Sequence, residues 1–210
     1  MVWRVGTDVL KLLQLDFDRA CSLVIEHLSI TPPPVGEVKI LAIDGPAGAG
    51  KTTMAQALSL SLRNAPIVHM DQLYRGWDDA LTPRVASILR DQILTPISQS
   101  KTGSYRGWDW LKDREGERVT ISGHSHLIVE GVGSAQRVMR PFASTMVWID
   151  IPTHLGLTRV LERDRDKVED FALFENQMRS WQGREILHFE REETFQSVHL
   201  RFSGEAFIPN

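Results

Sequence analysis

Cysteine is almost absent from this chain of 210 residues, which has Cys21 and no other. A single thiol excludes a disulfide framework and a zinc site built from cysteines. Long apolar runs are also missing, since stretches such as 40–43 (ILAI) end after about four residues, whereas a membrane span needs about 18 or more. We therefore expect a cytoplasmic protein in a reducing compartment, with no membrane partner.

An excess of one charge is likewise missing. Lys plus Arg total 24 and Asp plus Glu total 27, which gives a formal net charge of −3. This balance lacks the basic footprint of a nucleic-acid-binding protein, so we expect no nucleic-acid partner. The hydrophobic share of 42%, with Gly 15 and Pro 10, excludes disorder, collagen-like repeats and coiled coil.

The N-terminal part of the chain predicts an amphipathic helix followed by a stiff linker. Apolar residues recur at three- and four-residue steps over 8–28, and Thr7 or Asp8 is expected to cap the helix. The segment 31–36 (TPPPVG) then ends it, because proline lacks the backbone N–H that a helix needs. The sequence leaves open whether this appendage packs on its own domain or forms the contact of a homodimer.

The rest of the chain alternates short apolar runs with helical patterns. The predicted strands are 38–43, 66–70, 126–130, 145–151 and 197–202, and the predicted helices are 51–63, 81–94, 133–140, 153–165 and 169–194. Near-continuous apolar strands separated by helices are typical of a parallel sheet covered on both faces. We therefore predict a three-layer α/β domain over 37–210, with a mostly parallel five-stranded sheet, and an extra N-terminal helix and linker over 1–36. Residues 99–122 interrupt the alternation and predict a loop with a short hairpin.

One glycine-rich segment carries the strongest chemical signal. Gly45-Pro46-Ala47-Gly48-Ala49-Gly50-Lys51-Thr52 fits the pattern G-x-x-x-x-G-K-[ST], and Thr53 follows it. The segment comes after a predicted strand and opens a predicted helix, which is the context that this motif requires. Such glycines let backbone N–H groups turn toward a polyphosphate, and the positive end of the helix dipole strengthens that field. We predict that 45–53 binds a nucleotide, with Lys51 bridging the terminal phosphates and Thr52 holding Mg²⁺.

Two carboxylates follow other predicted strands, at the edge where ligands of an open parallel sheet bind. Asp71 comes directly after strand 66–70, and Glu130 ends strand 126–130. Phosphoryl transfer needs a metal ion held in place and a carboxylate beside the acceptor hydroxyl. We predict Asp71 as the base and a member of the metal site, and Glu130 as a residue that holds Mg²⁺ through water. The alternatives are a turn cap for Asp71 and a loop brace for Glu130.

A later predicted helix carries Arg159 and Arg163, four residues apart and so on one face. Guanidinium groups match the charge that spreads over a transferring phosphoryl group, so both arginines are candidate catalytic residues. The alternative is an ordinary solvated helix, because several acidic residues surround the pair.

The pentapeptide YRGWD occurs twice, at 74–78 and at 105–109, and each copy lies outside the elements predicted above. Rings and carboxylates on two loops suit a polar, planar ligand, so we predict that the copies line one acceptor cleft. The residues expected to bind the acceptor are Tyr74, Trp77, Asp78, Tyr105, Trp108 and Asp109. The alternative is two aromatic loops that pack together without a ligand.

Taken in order, GPAGAGKTT, HMDQLY, IVEGV and TRVLERD resemble the motifs of the uridine kinase and phosphoribulokinase branch of the P-loop kinases. The resemblance covers roughly residues 38–203. It implies a P-loop kinase fold and transfer of the γ-phosphoryl group of ATP, with Mg²⁺, to a sugar hydroxyl such as a nucleoside 5′-OH. By this resemblance, Asp71 takes the acceptor's proton with Tyr74 beside it. Arg159 and Arg163 correspond to the lid arginines of the family.

The acceptor motifs depart from that family. Gln72 and Leu73 stand where uridine kinases have an acidic or hydroxyl residue and then phenylalanine, and 108–110 (WDW) stands where their uracil-contacting loop has Tyr-Asp-Phe. Three functions stay open: a nucleoside kinase, a kinase for a nucleoside monophosphate or a sugar or cofactor precursor, and a nucleotide-binding ATPase or switch without an acceptor. A monophosphate acceptor would need a further anion site, for which the candidates are Arg75, Arg84, Arg106 and Arg114.

Overall fold

The computed structural model describes residues 12–110 and 112–207. Its helices and strands are, in chain order, α1 (Phe17–Ile30), β1 (Lys39–Asp44), α2 (Lys51–Ser61), β2 (Ile67–His69), α3 (Pro83–Ile88), α4 (Thr95–Ser98), β3 (Gly103–Asp109), β4 (Arg114–Ile121), β5 (His126–Glu130), β6 (Ala143–Asp150), α5 (Thr153–Asp164), α6 (Phe171–Glu192), α7 (Thr194–Ser197) and β7 (Leu200–Ser203). A π-helical segment, Leu89–Leu94, joins α3 to α4. The described residues also contain four short 3₁₀ turns: Met70–Leu73, Arg137–Met139, Arg165–Lys167 and Glu205–Phe207.

Five parallel strands form the central sheet, in the order β2-β5-β1-β6-β7. Successive residues of β1 face opposite sides, so Ile40 and Ala42 join one buried cluster while Leu41 and Ile43 join the other. Helices α3, α5 and α6 pack on the first side, and α1 and α2 pack on the second. The predicted three-layer α/β architecture, with its parallel five-stranded sheet and N-terminal helix, is therefore confirmed.

Helix α1 begins later than the apolar pattern predicted. Asp16 caps the helix by accepting a hydrogen bond from the backbone N–H of Arg19 at 2.8 Å, and residues 12–16 are not helical. Leu13 instead forms a parallel bridge to Phe202, which gives the outer edge of β7 backbone partners. The predicted helical start is thus wrong over 12–16, because pairing with the sheet edge takes this stretch.

The buried face of α1 packs on the sheet of its own chain. Its residues Ala20, Val24 and Leu28 are buried in the cluster shared with α2 and β1. The predicted cap residues, Thr7 and Asp8, lie outside the described residues.

Two further regions differ from the sequence prediction. Residues 99–122 hold a long antiparallel hairpin of β3 and β4, so the second YRGWD copy, predicted to lie in a loop, forms most of β3. The predicted helix 133–140 is only a 3₁₀ turn over Arg137–Met139. Gly133 has a φ of +85°, outside the helical range, in a loop whose N–H groups at Gly133 and Ala135 bond the buried carboxylate of Asp44. None of the helices in the described part of the chain is both long and apolar enough to cross a membrane.

Candidate active site

The glycine-rich segment connects β1 to α2 at the carboxyl edge of the sheet. Gly45, Gly48 and Gly50 have positive φ angles of +141°, +80° and +95°, a backbone region that residues other than glycine rarely adopt. A Cβ on Gly48 would also come within 2.3 Å of the carbonyl oxygen of Gly156 in α5. No side chain among the described residues caps α2, whose first turn therefore offers backbone N–H groups to an anion.

Lys51 is the first residue of α2 and is buried. Its ammonium group donates hydrogen bonds of 2.7 Å to the carbonyl oxygens of Gly45 and Pro46. Burial lowers the pKa of Lys51, while the carboxylates of Glu185 and Glu130 act in the opposite direction. The loop thus holds a buried cation whose charge is supported by two nearby carboxylates.

Glu130, at the end of β5, contacts two side chains from other elements, Thr52 and His69. Its Oε1 atom accepts a hydrogen bond of 3.1 Å from the hydroxyl of Thr52 and lies 2.5 Å from Nδ1 of His69. The hydrogen bond to Glu130 raises the pKa of His69, which favours the imidazolium and an ion pair. Hydroxyl and carboxylate oxygens are the hard ligands that Mg²⁺ prefers, so the donor set of Thr52 and Glu130 fits this ion. His69 was missed by the sequence reasoning, although it lies two residues before Asp71.

Asp71 lies in the 3₁₀ turn that follows β2. Its side chain is exposed to solvent, yet neighbouring protein atoms displace part of the water around its carboxylate. This desolvation raises the pKa of Asp71, and the charge of Glu130 raises it further, against the opposing effects of His69 and Arg163. The structure thus places the predicted base beside the predicted metal-site carboxylate, and a carboxylate with a raised pKa is the better proton acceptor.

Asp44 is a buried carboxylate that the sequence reasoning missed. It is fully buried at the end of β1 and accepts hydrogen bonds from the backbone N–H groups of Gly45, Gly133 and Ala135 at 2.8, 3.0 and 2.8 Å. Burial raises the pKa of Asp44 to about 6. This residue joins the start of the P-loop to the loop that follows Glu130. Its position directly before Gly45 was the one signal available in the sequence.

A second missed carboxylate, Glu185, reaches the P-loop from α6. It is 3% exposed, and its Oε2 atom accepts a hydrogen bond of 3.1 Å from the backbone N–H of Ala47. Burial raises the pKa of Glu185 to about 7, although the charge of Lys51 lowers it. No local pattern marks this residue, since it is one of several acidic residues in a long helix.

The two predicted lid arginines take different positions. Arg159 donates to the carbonyl oxygens of Gly204 and Glu205 at 3.0 and 3.1 Å, and to that of Gly48 at 3.5 Å, so it joins the P-loop to the C-terminal segment. Arg163 lies one turn further along α5, pairs with Asp164, and acts electrostatically on Asp71 and Glu130. Contact of either arginine with phosphate stays a prediction.

The first YRGWD copy, 74–78, lies in the loop after the 3₁₀ turn. Tyr74 is buried and donates a hydrogen bond of 2.6 Å to the carbonyl oxygen of Val132. The ring of Trp77 contacts those of Trp110 and Trp181, with centroids 5.5 and 6.0 Å apart. Asp78 is exposed.

The second copy, 105–109, meets the same 3₁₀ turn from the hairpin. Tyr105 is buried and donates a hydrogen bond of 3.0 Å to Oε1 of Gln72. Trp108 is half-buried, and Asp109 pairs with Lys112 at 3.1 Å. The structure therefore brings both copies to the segment that carries Asp71, but with both tyrosine rings buried in the protein.

Comparison with known proteins extends these observations. No family model matches the chain, and neither does a curated protein. A solved structure called a "possible uridine kinase", from Bacillus stearothermophilus, has a TM-score of 0.59 and 21% identity, covering 89% of this chain and 96% of that one. A "putative fructose transport system kinase" from Silicibacter sp. TM1040 has a TM-score of 0.62 and 16% identity, covering 90% of this chain and 98% of that one. At these identities the likeness concerns the fold: the chain has the fold of the P-loop kinases, as the resemblance of its motifs predicted.

Proposed function

We propose that this protein is an ATP-dependent small-molecule kinase that transfers the γ-phosphoryl group to a hydroxyl of a nucleoside-like acceptor. The observation that carries this proposal is the position of Asp71. It lies at the same sheet edge as the P-loop, next to Glu130, which in turn bonds Thr52. A P-loop that serves only as a switch has no need for a carboxylate with a raised pKa beside its metal-site residues.

The phosphates of ATP are bound by the P-loop and α2. The backbone N–H groups in the first turn of α2 bind the β-phosphate, and Lys51 exchanges its carbonyl partners for phosphate oxygens. Thr52 and Glu130 would hold Mg²⁺, which when bound neutralises charge on the phosphates. Arg163, whose charge acts on Asp71 and Glu130, adds positive charge to this site.

Asp71 orients the acceptor hydroxyl and accepts its proton as the new O–P bond forms. The bond between the β- and γ-phosphates breaks in the same step, and ADP leaves with the bonding electron pair. The raised pKa of Asp71 suits this role, because a stronger base takes the proton more readily. Asp44 and Glu185 touch neither reactant in this scheme and position the P-loop through its backbone.

The aromatic rings near Asp71 support a planar acceptor. Trp110 is 38% exposed, and its Nε1 donates a hydrogen bond of 3.0 Å to the backbone carbonyl of Asp71. Trp77 packs edge-on against Trp110 and keeps that ring in place. A partly exposed indole beside the base gives a nucleobase a surface on which to stack. Asp78 is the exposed carboxylate of the first copy that we assign to the acceptor's sugar hydroxyls.

The test is ADP release from Mg·ATP with a panel of nucleosides, nucleoside monophosphates and sugars. Asp71→Asn is expected to lose roughly 10²–10⁴ in turnover, the scale of general-base catalysis, while its affinity for an ATP analogue stays unchanged. Asp91→Asn is the matched control, since Asp91 forms an exposed ion pair with Arg90. A slow rate that is indifferent to every acceptor and to Asp71→Asn would contradict the kinase assignment and favour an ATPase.

A further inference from the structure

A cavity of roughly 180 Å³ lies between α3, the π-helical segment and the β3–β4 hairpin. A single water needs only about 10–15 Å³ of such space, so a small molecular group fits. Four arginines line the cavity, Arg75, Arg84, Arg106 and Arg118. Glu115 is the one carboxylate among the described residues that line it. The lining is therefore strongly cationic.

Two of these arginines are neutralised by the protein itself. Arg84 forms an ion pair with Asp79, with Nε 2.6 Å from Oδ1, and this contact helps to lower the pKa of Asp79. Arg75 forms an ion pair with Glu115 across the gap between the first YRGWD copy and the hairpin. These two pairs leave the other two positive charges of the cavity unmatched.

Arg106 and Arg118 supply the unmatched charge. Within 12–110 and 112–207, neither guanidinium lies at ion-pair distance from a carboxylate. Each donates to a neutral oxygen only, Arg106 to the carbonyl of Gly116 at 3.4 Å and Arg118 to the hydroxyl of Ser104 at 3.1 Å. The cavity is therefore lined by two guanidinium groups that still have N–H donors available for a ligand.

The strand register brings the two exposed arginines together. Arg106 and Arg118 are direct partners in the antiparallel ladder of β3 and β4. Like charges directly opposite each other destabilise a hairpin. Trp108, on the same face of the hairpin, has an Nε1 donor that is buried and has no hydrogen-bond partner among the described residues. An anion bound between Arg106 and Arg118 would offset their like charges and accept hydrogen bonds from both.

We propose that this cavity binds the phosphate group of a small molecule. Guanidinium forks match phosphate oxygens in geometry and charge. Three of the four sequence candidates for an anion site, Arg75, Arg84 and Arg106, do converge here, whereas Arg118 takes the place expected of Arg114. The source of the phosphate is either the kinase acceptor itself or a separate phosphorylated effector. The first source rests on the proposed function and is favoured by Gln72, which lines the cavity and directly follows Asp71.

Binding is tested on the full chain with the P-loop already filled by a non-hydrolysable ATP analogue and Mg²⁺. Inorganic phosphate is titrated at fixed ionic strength and followed by calorimetry and by tryptophan fluorescence, for which Trp108 is the local reporter. The double variant Arg106→Gln/Arg118→Gln is expected to lose at least tenfold in phosphate affinity. Arg114→Gln, on β4 but outside the cavity lining, is the matched control and should bind like the wild type. Equal affinity in the double variant, or no binding to the wild type, would overturn the proposal.

Thermal unfolding shows whether the double variant is folded. Without phosphate it should unfold at or above the wild-type temperature, because the like-charged cross-strand pair is gone. Phosphate should raise the unfolding temperature of the wild type and of Arg114→Gln, but not that of the double variant. An equal phosphate-induced rise in all three proteins would count against the site.

Kinetics with acceptor pairs that differ by one phosphate group separate the two sources. If the phosphate belongs to the acceptor, KM of the double variant for the phosphorylated acceptor should be at least tenfold higher than that of the wild type. Its KM for the unphosphorylated acceptor should be unchanged. If it belongs to an effector, added phosphate should change the rate with the unphosphorylated acceptor in the wild type only. Absence of both responses would overturn the proposal. Asp71→Asn should bind phosphate as the wild type does. The kinase assignment and the anion site can therefore fail independently of each other.

Discussion

The two copies of the pentapeptide YRGWD adopt different backbone structures in this protein. In the first YRGWD copy, Tyr74 ends a 3₁₀ turn and Gly76 has a φ of +75°, so 74–78 forms a tight loop. In the second copy, 105–109 is extended and pairs with β4. The pentapeptide therefore does not determine its own conformation. The neighbouring segments do, since a partner strand is present for one copy and absent for the other.

The tyrosines and arginines of the two copies have similar environments, but the tryptophans do not. Both tyrosines are buried with bonded hydroxyls, and both arginines line the same cavity. Trp77 joins the aromatic contacts near Asp71, whereas Trp108 lines the arginine cavity. The repeat thus contributes the same residue types to two neighbouring places, the aromatic contacts near Asp71 and the cavity lined by arginines.

Within the described part of the chain, only the first copy is joined to the P-loop through α6. Arg184 donates hydrogen bonds to the carbonyl oxygens of Trp77 and Ala80 at 2.6 and 2.9 Å. The next residue, Glu185, accepts from the N–H of Ala47 in the P-loop. One turn of α6 therefore connects the segment that carries Trp77 to the P-loop.

Breaking that connection at Glu185 has the largest expected effect. The folded pKa of about 7 exceeds the ordinary 4.5, so the stabilising contribution of this group is complete below about pH 4.5 and is lost as pH rises through 7. The shift corresponds to roughly 3 kcal/mol. We expect the wild type to lose about 2–3 kcal/mol of unfolding free energy relative to Glu185→Gln between pH 5 and pH 8.

Urea unfolding of both proteins across this pH range measures the difference. Glu190→Gln, a change at an exposed position of the same helix, is the control and should follow the wild type at every pH. Parallel pH profiles for the wild type and Glu185→Gln would mean that Glu185 keeps an ordinary pKa.

The tyrosines allow a second test of the difference between the copies. Tyr74→Phe leaves the buried carbonyl of Val132 without its donor, so we expect a loss of about 1–3 kcal/mol in unfolding free energy. Tyr105→Phe frees the side chain of Gln72, which is only half-buried and can turn to water, so about 0.5–1 kcal/mol is expected. Chemical denaturation at one pH compares them. A larger loss for Tyr105→Phe would reverse this ranking of the two environments.

The sequence predicted those features that depend on local pattern. The P-loop follows from its glycines, and the common edge of Asp71 and Glu130 follows from the rule that parallel strands end on the same side. The length of the hairpin was not predictable in this way, because β4 is largely exposed and shows little apolar alternation. Asp44 and Glu185 were missed because their partners, such as Ala135 and Ala47, are far away in sequence. Contacts of this kind exist only after the chain has folded.

The glycines of the two copies give the smallest but cleanest contrast. Gly76→Ala would meet no heavy atom within 4 Å in the described part of the protein, so its cost comes from the positive φ alone and should be about 1–2 kcal/mol. Gly107 is not among the residues with positive φ, and a Cβ there would lie 3.9 Å from the side chain of Gln72, an ordinary contact. Since glycine inside a strand costs roughly 0.5–1 kcal/mol relative to alanine, Gly107→Ala should be neutral or slightly stabilising. Unfolding free energies of the two variants decide the matter. Equal destabilisation would show that the irregular register between Arg106 and Trp108 needs glycine as much as the loop does, and the two copies would then be alike in their backbone requirements.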